Sequence, residues 1–243
     1  MTGLFIVFEG GDSAGKTTQV RHLASWLTNR GQPHLLTREP GGTWLGQHVR
    51  NLVLDPESGD ISSRAECLLY IADKAQHVVE VIKPALARDE VVVSDRYVDS
   101  TIAYQAAGRH LPADDVETIA RWGTQNLRPD LTVLLDVDPF QAVSRIANKD
   151  RIESAGDEFH RRVRQGFLQL AERDPESYLV LPARDSVESI ARRVRQRVAL
   201  RPAGQRGASA AGGQQPQELA PLLVGRTRRD LAGHGMEVAR AGL

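Results

Sequence analysis

The stretch LFIVFEGGDSAGKTTQV, residues 4–20, decides the fold of this chain. Its apolar start, Leu4–Phe8, is typical of a short buried strand, and the apolar side chains of residues 20–27 follow the spacing of a helix. Between them, GGDSAGKT (residues 10–17, the P-loop) matches the pattern G-x-x-x-x-G-K-[ST] without mismatch. Strand, glycine loop and helix in this order indicate a phosphate site, because backbone N–H groups and the helix N-terminus attract anions.

The P-loop residues are expected to contact the phosphates of a nucleoside triphosphate. Lys16 is expected to reach the β- and γ-phosphates, and the Thr17 hydroxyl to bind Mg²⁺. Asp12 has the charge of a phosphate, so we expect it to hold a sugar hydroxyl or a Mg²⁺-bound water. The predicted ATP-binding residues here are Gly10, Gly11, Asp12, Ser13, Ala14, Gly15, Lys16, Thr17 and Thr18, and those predicted for the metal are Thr17 and Asp12. A plain glycine turn with a solvated lysine is the alternative interpretation.

Length and composition favour one large α/β domain, alone or with an appendage. The 243 residues are 41% hydrophobic, which is enough for a core. Basic and acidic residues number 31 each, so we expect no nonspecific binding to nucleic acid or to a membrane. Cys67, the single cysteine, is expected to pack as a small apolar residue. A start without a leader and the lack of a long apolar run predict a cytoplasmic protein.

Alternating strand and helix patterns predict a three-layer α/β fold, with a five-stranded parallel sheet flanked by helices. The predicted strands are Leu4–Phe8, His34–Thr37, Glu90–Ser94, Leu131–Leu135 and Tyr178–Leu181. A long helix is predicted over residues 62–87, and Pro84 is expected to bend or unravel its last turn. The apolar face of that helix is predicted to be Ala65, Leu68, Ala72, Ala75, Val79 and Ile82.

The composition changes after residue 200. Residues 201–217 lack large apolar side chains and are typical of a flexible linker. Residues 218–243 hold a short apolar cluster and several arginines. We therefore predict one folded domain over residues 1–200 and a low-complexity, disordered C-terminal tail over 201–243.

Three arginines are predicted to lie near the carboxyl ends of the parallel strands, where such sheets bind ligands. Arg38 directly follows a predicted strand, Arg96 lies two residues after one, and Arg50 lies on the helix after Arg38. Guanidinium groups match the geometry of phosphate oxygens. Each arginine alone is as well explained by a surface ion pair, but three together indicate a site for phosphoryl transfer.

Four motifs together resemble thymidylate kinase. They are the P-loop, TREPGGT (37–43), RAECLLYIADKAQH (64–77) and SDRYVDSTIAYQ (94–105). The resemblance runs from about residue 3 to about residue 200, and it is specific because the motifs follow the family's order. It implies a P-loop nucleoside monophosphate kinase domain that transfers the γ-phosphate of ATP, with Mg²⁺, to dTMP. It also implies a homodimer, the usual state of the family.

The resemblance implies roles for the residues around the acceptor phosphate. Asp12 and Glu39 approach the acceptor's sugar, its phosphate and the associated magnesium. Arg50 and Arg96 hold the acceptor phosphate. With Lys16 from the P-loop and Arg151 from the lid described below, the implied catalytic residues are Lys16, Arg96, Arg151 and Asp12.

On the base side, the resemblance implies that Tyr70 stacks on thymine and that Lys74 contacts its O4 edge. Tyr70 and Lys74 are four residues apart on one helix and therefore share a face. Thr101 and Gln105 contact the N3 side of the base, and Tyr104 crowds the 2′ position and favours deoxyribose. The implied substrate-binding residues are Glu39, Arg50, Tyr70, Lys74, Arg96, Thr101, Tyr104 and Gln105.

The lid candidate is NKDRIE (148–153), which keeps the family's DRIE but is several residues shorter than usual. Lys149 and Arg151 are predicted to close on ATP, and Lys149 joins the predicted ATP-binding residues. Some members of the family have an arginine in the P-loop where this chain has Ser13. The bacterial subtype lacks that arginine, as this chain does, and takes its basic residues from the lid instead. The family usually has Phe at position 70 and Arg at position 74.

Two other functions fit the same residues. One is a kinase for another nucleotide or for a deoxynucleoside. A free nucleoside would need a carboxylate as base, whereas an acceptor phosphate is already anionic. The other is a nucleotide-binding regulatory module with weak catalysis, which the short lid favours. The sequence shows no zinc-ligand spacing and no Ser or Cys nucleophile motif, so we expect direct phosphoryl transfer.

Overall fold

A computed structural model describes residues 3–140 and 150–200 of the chain. Its centre is a five-stranded parallel sheet with the order β2-β3-β1-β4-β5. The strands are β1 (Phe5–Glu9), β2 (His34–Arg38), β3 (Val91–Asp95), β4 (Leu131–Asp136) and β5 (Tyr178–Pro182). The predicted α/β fold is confirmed. The predicted tail, residues 201–243, and Lys149 lie outside the described residues, so the domain boundary at residue 200 stays a prediction.

Helices cover both faces of the sheet. They are α1 (Lys16–Asn29), α2 (Trp44–Leu54), α3 (Ser63–His77), α4 (Lys83–Ala87), α5 (Val98–Thr101), α6 (Ala113–Gly123), α7 (Asp157–Arg173) and α8 (Val187–Ala199). Hydroxyl side chains cap three N-termini by accepting a backbone N–H, and these caps are Thr43, Ser62 and Ser186. A π-helical stretch, Ile102–Gly108, continues α5.

The core forms two layers, one on each face of the sheet. Successive residues of a strand point to opposite faces, so a strand buried on both sides is apolar throughout. The layer towards α1 and α8 includes Ile6, Phe8, Leu23, Leu27 and Val194. The layer on the other face includes Phe5, Val7, Val78, Ile82, Val92 and Tyr97.

Because the strands are parallel, the loops that follow β1, β2 and β3 all begin at the same edge of the sheet. Asp95, the last residue of β3, is in register with Phe8 on β1 and with Arg38 on β2. The P-loop follows β1, the TREPGGT motif spans the end of β2, and Arg96 follows β3. The register therefore places three of the four motifs side by side.

The long helix predicted over residues 62–87 is present, but its register changes within it. The segment Val78–Ile82 is π-helical, and the Lys83 N–H donates to the carbonyl of Val78, five residues earlier. Pro84 then lies in the first turn of α4, where a missing N–H is tolerated. The irregularity therefore precedes Pro84.

The predicted apolar face of this helix was largely wrong. Leu68 and Val79 are 55% and 53% exposed, and only Ile82 of the predicted set is buried. The face that points into the protein instead carries Glu66, Asp73, Lys74 and His77. Burying charged groups is favourable only when they are paired. Each of these four side chains has such partners, as described below.

Cys67 is buried against the apolar side chains of Ile71, Ile102 and Ala120, which confirms the prediction that it packs as a small apolar residue. Across residues 3–140 and 150–200, we find no helix with the length and hydrophobicity needed to cross a bilayer. The cytoplasmic location expected from the sequence stays a prediction.

Candidate active site

Two adjoining clefts open at the edge of the sheet where the motifs meet. The inner cleft, of about 660 Å³, is lined by all eight residues predicted for the substrate: Glu39, Arg50, Tyr70, Lys74, Arg96, Thr101, Tyr104 and Gln105. The outer cleft, of about 1290 Å³, lies over the P-loop and is lined by Asp12, Ser13, Lys16, Thr17, Thr37, Arg38, Asp95 and others. The residues shared by both clefts are Asp12, Glu39, Arg50, Arg96 and Glu153.

Glycine is required in the P-loop because of where the loop runs. A Cβ at Gly10 would lie 2.4 Å from the carbonyl oxygen of Leu135 on β4. Gly15 has φ +89° directly before α1, in the left-handed region that glycine favours. The two glycines therefore let the loop press against the sheet and turn into the helix.

The ammonium group of Lys16 is held by the P-loop itself. Its Nζ donates to the carbonyl oxygens of Gly10 at 3.0 Å and Gly11 at 2.8 Å. Burial, followed by the charge of Arg96, lowers the pKa of Lys16 to about 8. An anionic ligand in the outer cleft would reverse part of this effect, because it favours the charged ammonium.

Thr17 contacts a carboxylate that sequence reasoning missed. Its Oγ1 donates to Oδ2 of Asp95 at 2.8 Å. The available signal was the place of Asp95 at the end of β3, the strand beside β1. Among the described residues, no three or more His, Cys, Asp or Glu side chains are placed to hold a metal ion by themselves. Mg²⁺ commonly uses one or two protein oxygens together with water and phosphate, so Thr17 and Asp95 fit this ion.

Asp12, Arg96 and Tyr104 form one hydrogen-bonded group. Arg96 Nη2 donates to Asp12 Oδ1 at 2.5 Å, and the Tyr104 hydroxyl donates to Asp12 Oδ2 at 3.0 Å. Burial favours the neutral acid, but Arg96, with Lys16 second, outweighs it and holds the pKa of Asp12 below its usual value. Both oxygens of Asp12 are engaged here. Its predicted contact with Mg²⁺ stays a prediction, and the geometry favours Asp95 for that contact.

Arg96 is fixed by four hydrogen bonds. Besides Asp12, its guanidinium donates to the Gly10 carbonyl at 3.1 Å, the Ser100 hydroxyl at 3.0 Å and the Tyr104 hydroxyl at 3.2 Å. Its carbon Cζ lies 5.1 Å from the centre of the Tyr104 ring. The guanidinium of Arg96 is therefore held in one orientation in the wall shared by both clefts.

Glu39 is the centre of a buried charged group. Lys74 Nζ lies 3.1 Å from Glu39 Oε2, and His77 Nδ1 lies 2.7 Å from Glu39 Oε1. The other ring nitrogen of His77 is 2.6 Å from the Thr37 hydroxyl. Lys74 is only 1% exposed, with Nζ 5.6 Å from the centre of the Tyr70 ring. Lys74 is therefore a buried, paired charge and not an exposed surface lysine. The sequence analysis missed His77 and Thr37, although both lie within the motifs.

The turn after β2 is held against α3 and α2. The Gly41 N–H donates to Oδ1 of Asp73 at 3.1 Å, and a Cβ at Gly46 would lie 2.2 Å from that oxygen. Arg50 Nη1 donates to the Pro40 carbonyl at 3.2 Å. These contacts fix the position of Glu39 at the border of the two clefts.

Thr101 and Gln105 offer polar atoms on the base side of the inner cleft. The buried Oγ1 of Thr101 finds no hydrogen-bond partner among residues 3–140 and 150–200. Gln105 Nε2 donates to Glu66 Oε1 at 2.9 Å. The Thr101 hydroxyl is therefore available to a ligand in this cleft, and the NH₂ group of Gln105 is engaged by Glu66.

Arg151, the predicted lid residue, contacts α3 and the end of α2 in this structure. Its Nη2 donates to Glu66, and its Nε donates to the Val53 carbonyl at 2.8 Å. Asp150 accepts the N–H groups of Ile152 at 2.9 Å and Glu153 at 2.7 Å, which fixes the start of this turn. The proposed closure of Arg151 on ATP stays a prediction, and it requires the ion pair with Glu66 to open.

Residues 8–194 match the family model described as thymidylate kinase. The chain belongs to the thymidylate kinase family. Thymidylate kinase from Cutibacterium acnes is 64% identical over 198 residues, which cover 82% of this chain and 97% of that protein. Thymidylate kinase from Bifidobacterium longum (strain NCC 2705) is 50% identical over 194 residues, 78% of this chain and 94% of that protein. A crystal structure of thymidylate kinase from Ehrlichia chaffeensis matches with a TM-score of 0.69 and 33% identity, covering 82% of this chain and all of that one.

As a thymidylate kinase family member, the chain is an ATP-dependent nucleoside monophosphate kinase that phosphorylates dTMP. The P-loop fold found in the structure agrees with this membership. The comparisons give no support to a kinase for another acceptor or to a regulatory module.

Proposed function

We propose that the phosphates of ATP bind in the outer cleft, that dTMP binds in the inner cleft, and that the γ-phosphate passes between them. The observation that carries this proposal is the shared wall of the two clefts, formed by Asp12, Glu39, Arg50, Arg96 and Glu153. Phosphoryl transfer requires the donor and acceptor oxygens to be aligned about the phosphorus atom. A wall common to both clefts supports such an alignment.

On the donor side, P-loop N–H groups and Lys16 bind the phosphate chain. Lys16 would exchange its carbonyl partners, Gly10 and Gly11, for phosphate oxygens. Thr17 and Asp95 would hold Mg²⁺, which neutralises phosphate charge when it is bound. Arg151 is proposed to add a positive charge late, after it leaves Glu66.

On the acceptor side, Arg50 and Arg96 hold the dTMP phosphate. Asp12 and Tyr104 orient Arg96 through the contacts described above. A general base is not needed, because the attacking phosphate oxygen is already anionic at neutral pH. The Tyr104 ring, packed against Phe159 and Phe167, forms a rigid wall that favours deoxyribose.

On the base side, we assign stacking to Tyr70, the O4 contact to Lys74 and the N3 contacts to Thr101 and Gln105. The unpartnered Thr101 hydroxyl supports this assignment, because a buried polar group without a partner costs free energy until a ligand supplies one. Glu39 neutralises Lys74, so its ammonium can be buried beside an uncharged base.

A panel of acceptors tests the proposed function. With ATP and Mg²⁺, we expect kcat/KM to be highest for dTMP, above dUMP, dCMP, dGMP and thymidine. One methyl group in an apolar pocket separates dTMP from dUMP, so that ratio is expected to be about 10–200-fold. ADP release, with the phosphorylated product identified by chromatography, measures the rates. A better acceptor than dTMP, or ATP hydrolysis without transfer, would contradict the proposal.

We also propose a homodimer that covers the exposed apolar face of α3. Leu68 on α3 and Val79 in the π-helical segment after it are exposed, and so are Ile119 and the 81%-exposed Trp122 on α6, which packs against α3. Large exposed apolar residues on two packed helices support an interaction site here. An isologous contact between two copies would bury the same face on both.

Leu68→Asp is expected to convert the dimer into a monomer, because it places a charge in the centre of the apolar face. Val187→Asp, an equally charged change at an exposed apolar residue in the first turn of α8, is the matched control and should stay dimeric. Light scattering coupled to gel filtration measures the mass. Wild-type protein that is monomeric at micromolar concentration would refute the dimer, and a dimeric Leu68→Asp variant would refute this face.

A further inference from the structure

Glu66 is a buried carboxylate for which the proposed mechanism has no direct task. It is 0% exposed and accepts hydrogen bonds from Gln105 Nε2 at 2.9 Å, Arg109 Nε at 3.1 Å and Arg109 Nη2 at 3.2 Å. Arg151 Nη2 also donates to it. Burial raises the pKa of Glu66, but the hydrogen bonds from Arg109, Gln105 and Arg151 bring it below its usual value. Glu66 is therefore ionised, and an ionised carboxylate can only accept hydrogen bonds.

The ionised carboxylate of Glu66 determines the orientation of the Gln105 amide. The two ends of an amide are nearly equal in shape and differ in hydrogen bonding. Next to an ionised carboxylate, only the NH₂ end is favourable, because the carbonyl end would meet another acceptor. Gln105 is buried and lines the inner cleft. The carbonyl oxygen is thus the end of the amide that remains to accept a hydrogen bond from a ligand.

A fixed carbonyl acceptor distinguishes pyrimidines by the proton on N3. Thymine and uracil carry an N3–H, which donates to such an oxygen. Cytosine has an unprotonated N3, which is itself an acceptor and would repel it. When a ligand lacks the donor that a buried protein acceptor requires, that acceptor is left without a hydrogen bond. The cost of this unpaired group is a strong source of discrimination between ligands.

We propose that Glu66 is a positioning residue that holds the Gln105 amide in one orientation, and so makes the enzyme select bases with an N3–H over cytosine. The proposal rests on the proposed function, because it takes the inner cleft as the acceptor site. The other two residues assigned to the base, Lys74 and Thr101, do not depend on Glu66 in this way. Lys74 donates towards O4 whatever the state of Glu66, and the Thr101 hydroxyl can donate or accept, so it does not discriminate.

Glu66→Gln tests this role. An amide at position 66 can donate as well as accept, so either orientation of Gln105 finds a partner. The ratio of kcat/KM for dTMP over dCMP is expected to fall about tenfold, equal to about 1.4 kcal/mol. The fall should combine a loss with dTMP and a gain with dCMP, and dUMP should follow dTMP.

Arg109→Met is the matched control. It removes another partner of Glu66 while keeping apolar contact with Phe159, above whose ring the Arg109 guanidinium lies at 4.7 Å. It leaves the carboxylate beside Gln105, so the dTMP to dCMP ratio should stay at the wild-type value even if both rates fall. If Glu66→Gln lowers both rates equally, Glu66 is only structural and the proposal is overturned.

A charge-balanced double variant keeps the proposal testable if Glu66→Gln alone fails to fold. The single change leaves Arg109 and Arg151 with less negative charge between them, whereas Glu66→Gln with Arg109→Met removes one charge of each sign. The double variant is expected to show the same lowered dTMP to dCMP ratio as Glu66→Gln. A ratio equal to that of wild type would overturn the proposal. The wild-type protein distinguishes failure of the proposed function from failure of this proposal. If wild type has no dTMP kinase activity, the proposed function is refuted. If wild type is active but the variants keep its ratio of kcat/KM for dTMP over dCMP, only the role of Glu66 is refuted.

Discussion

Lys16→Ala is expected to lower kcat about 10³-fold, the range found when one donor to a developing charge is removed. The ammonium of Lys16 lies on the wall of the outer cleft and is held there by two P-loop carbonyls. A bound triphosphate would draw it to the transferring group, where charge changes most during the reaction. Because the proposed role of Lys16 lies in the transition state, kcat should fall more than KM rises.

Folding should survive this change. The carbonyls of Gly10 and Gly11 lose one donor at the border of a cleft, which costs about 1 kcal/mol or less if water replaces it. Thermal unfolding of the variant measures that cost. Lys83→Ala, a lysine change on α4 away from both clefts, is the control and should keep wild-type turnover. A Lys16→Ala enzyme within tenfold of wild type would show that the P-loop lysine does not act on the transferred phosphate.

Arg96→Lys is expected to lower kcat/KM for dTMP about 10²-fold, although the charge is kept. A misplacement of about 1 Å at a reacting group costs this much. Arg96 spans four acceptors with its two terminal nitrogens, and lysine has a single nitrogen that cannot bridge Asp12, Ser100 and Tyr104 at once. The backbone at this position has φ +75°, and lysine meets the same strain, so the comparison isolates the head group.

The measurement is kcat and KM for dTMP and for ATP, each at saturating partner substrate. Most of the effect should fall on dTMP, since Arg96 is proposed to hold the acceptor phosphate. Arg88→Lys, at an exposed arginine paired with Glu90, is the control for the substitution itself and should change nothing. Equal damage to the KM of ATP and dTMP would place Arg96 on the donor side instead.

The sheet and the P-loop could be predicted from local pattern. The three central strands, β1, β3 and β4, are apolar runs buried on both faces, and the predicted bounds of all five strands fall within one residue of the structure. Of the eight residues implied for the substrate, seven come from three separate motifs and Arg50 lies on the helix after one of them, and all eight line one cleft. Motif order therefore predicted which residues come together.

The partners inside the site could not be predicted in this way. Thr17 and Asp95 are 78 residues apart in the chain, and Glu66 and Arg151 are 85 apart. Such pairs are set by how the elements pack, and no periodicity records them. Leu68 was misassigned for a different reason: the hydrophobic pattern of α3 shows where its apolar residues lie, but it does not show whether they pack inside the same chain.

The inverted amphipathicity of α3 bears on how this enzyme could be re-engineered for a new acceptor. Its inner face carries Glu66, Lys74 and His77, each buried against a charged or hydrogen-bonding partner. Removing one member of a buried pair costs about 3–5 kcal/mol, a large part of the stability of a typical domain. Substrate preference and fold stability are therefore linked on this helix. Single substitutions at these three positions are therefore expected to lower the free energy of unfolding as well as to change acceptor choice, and charge-balanced pairs of substitutions are expected to lower it less.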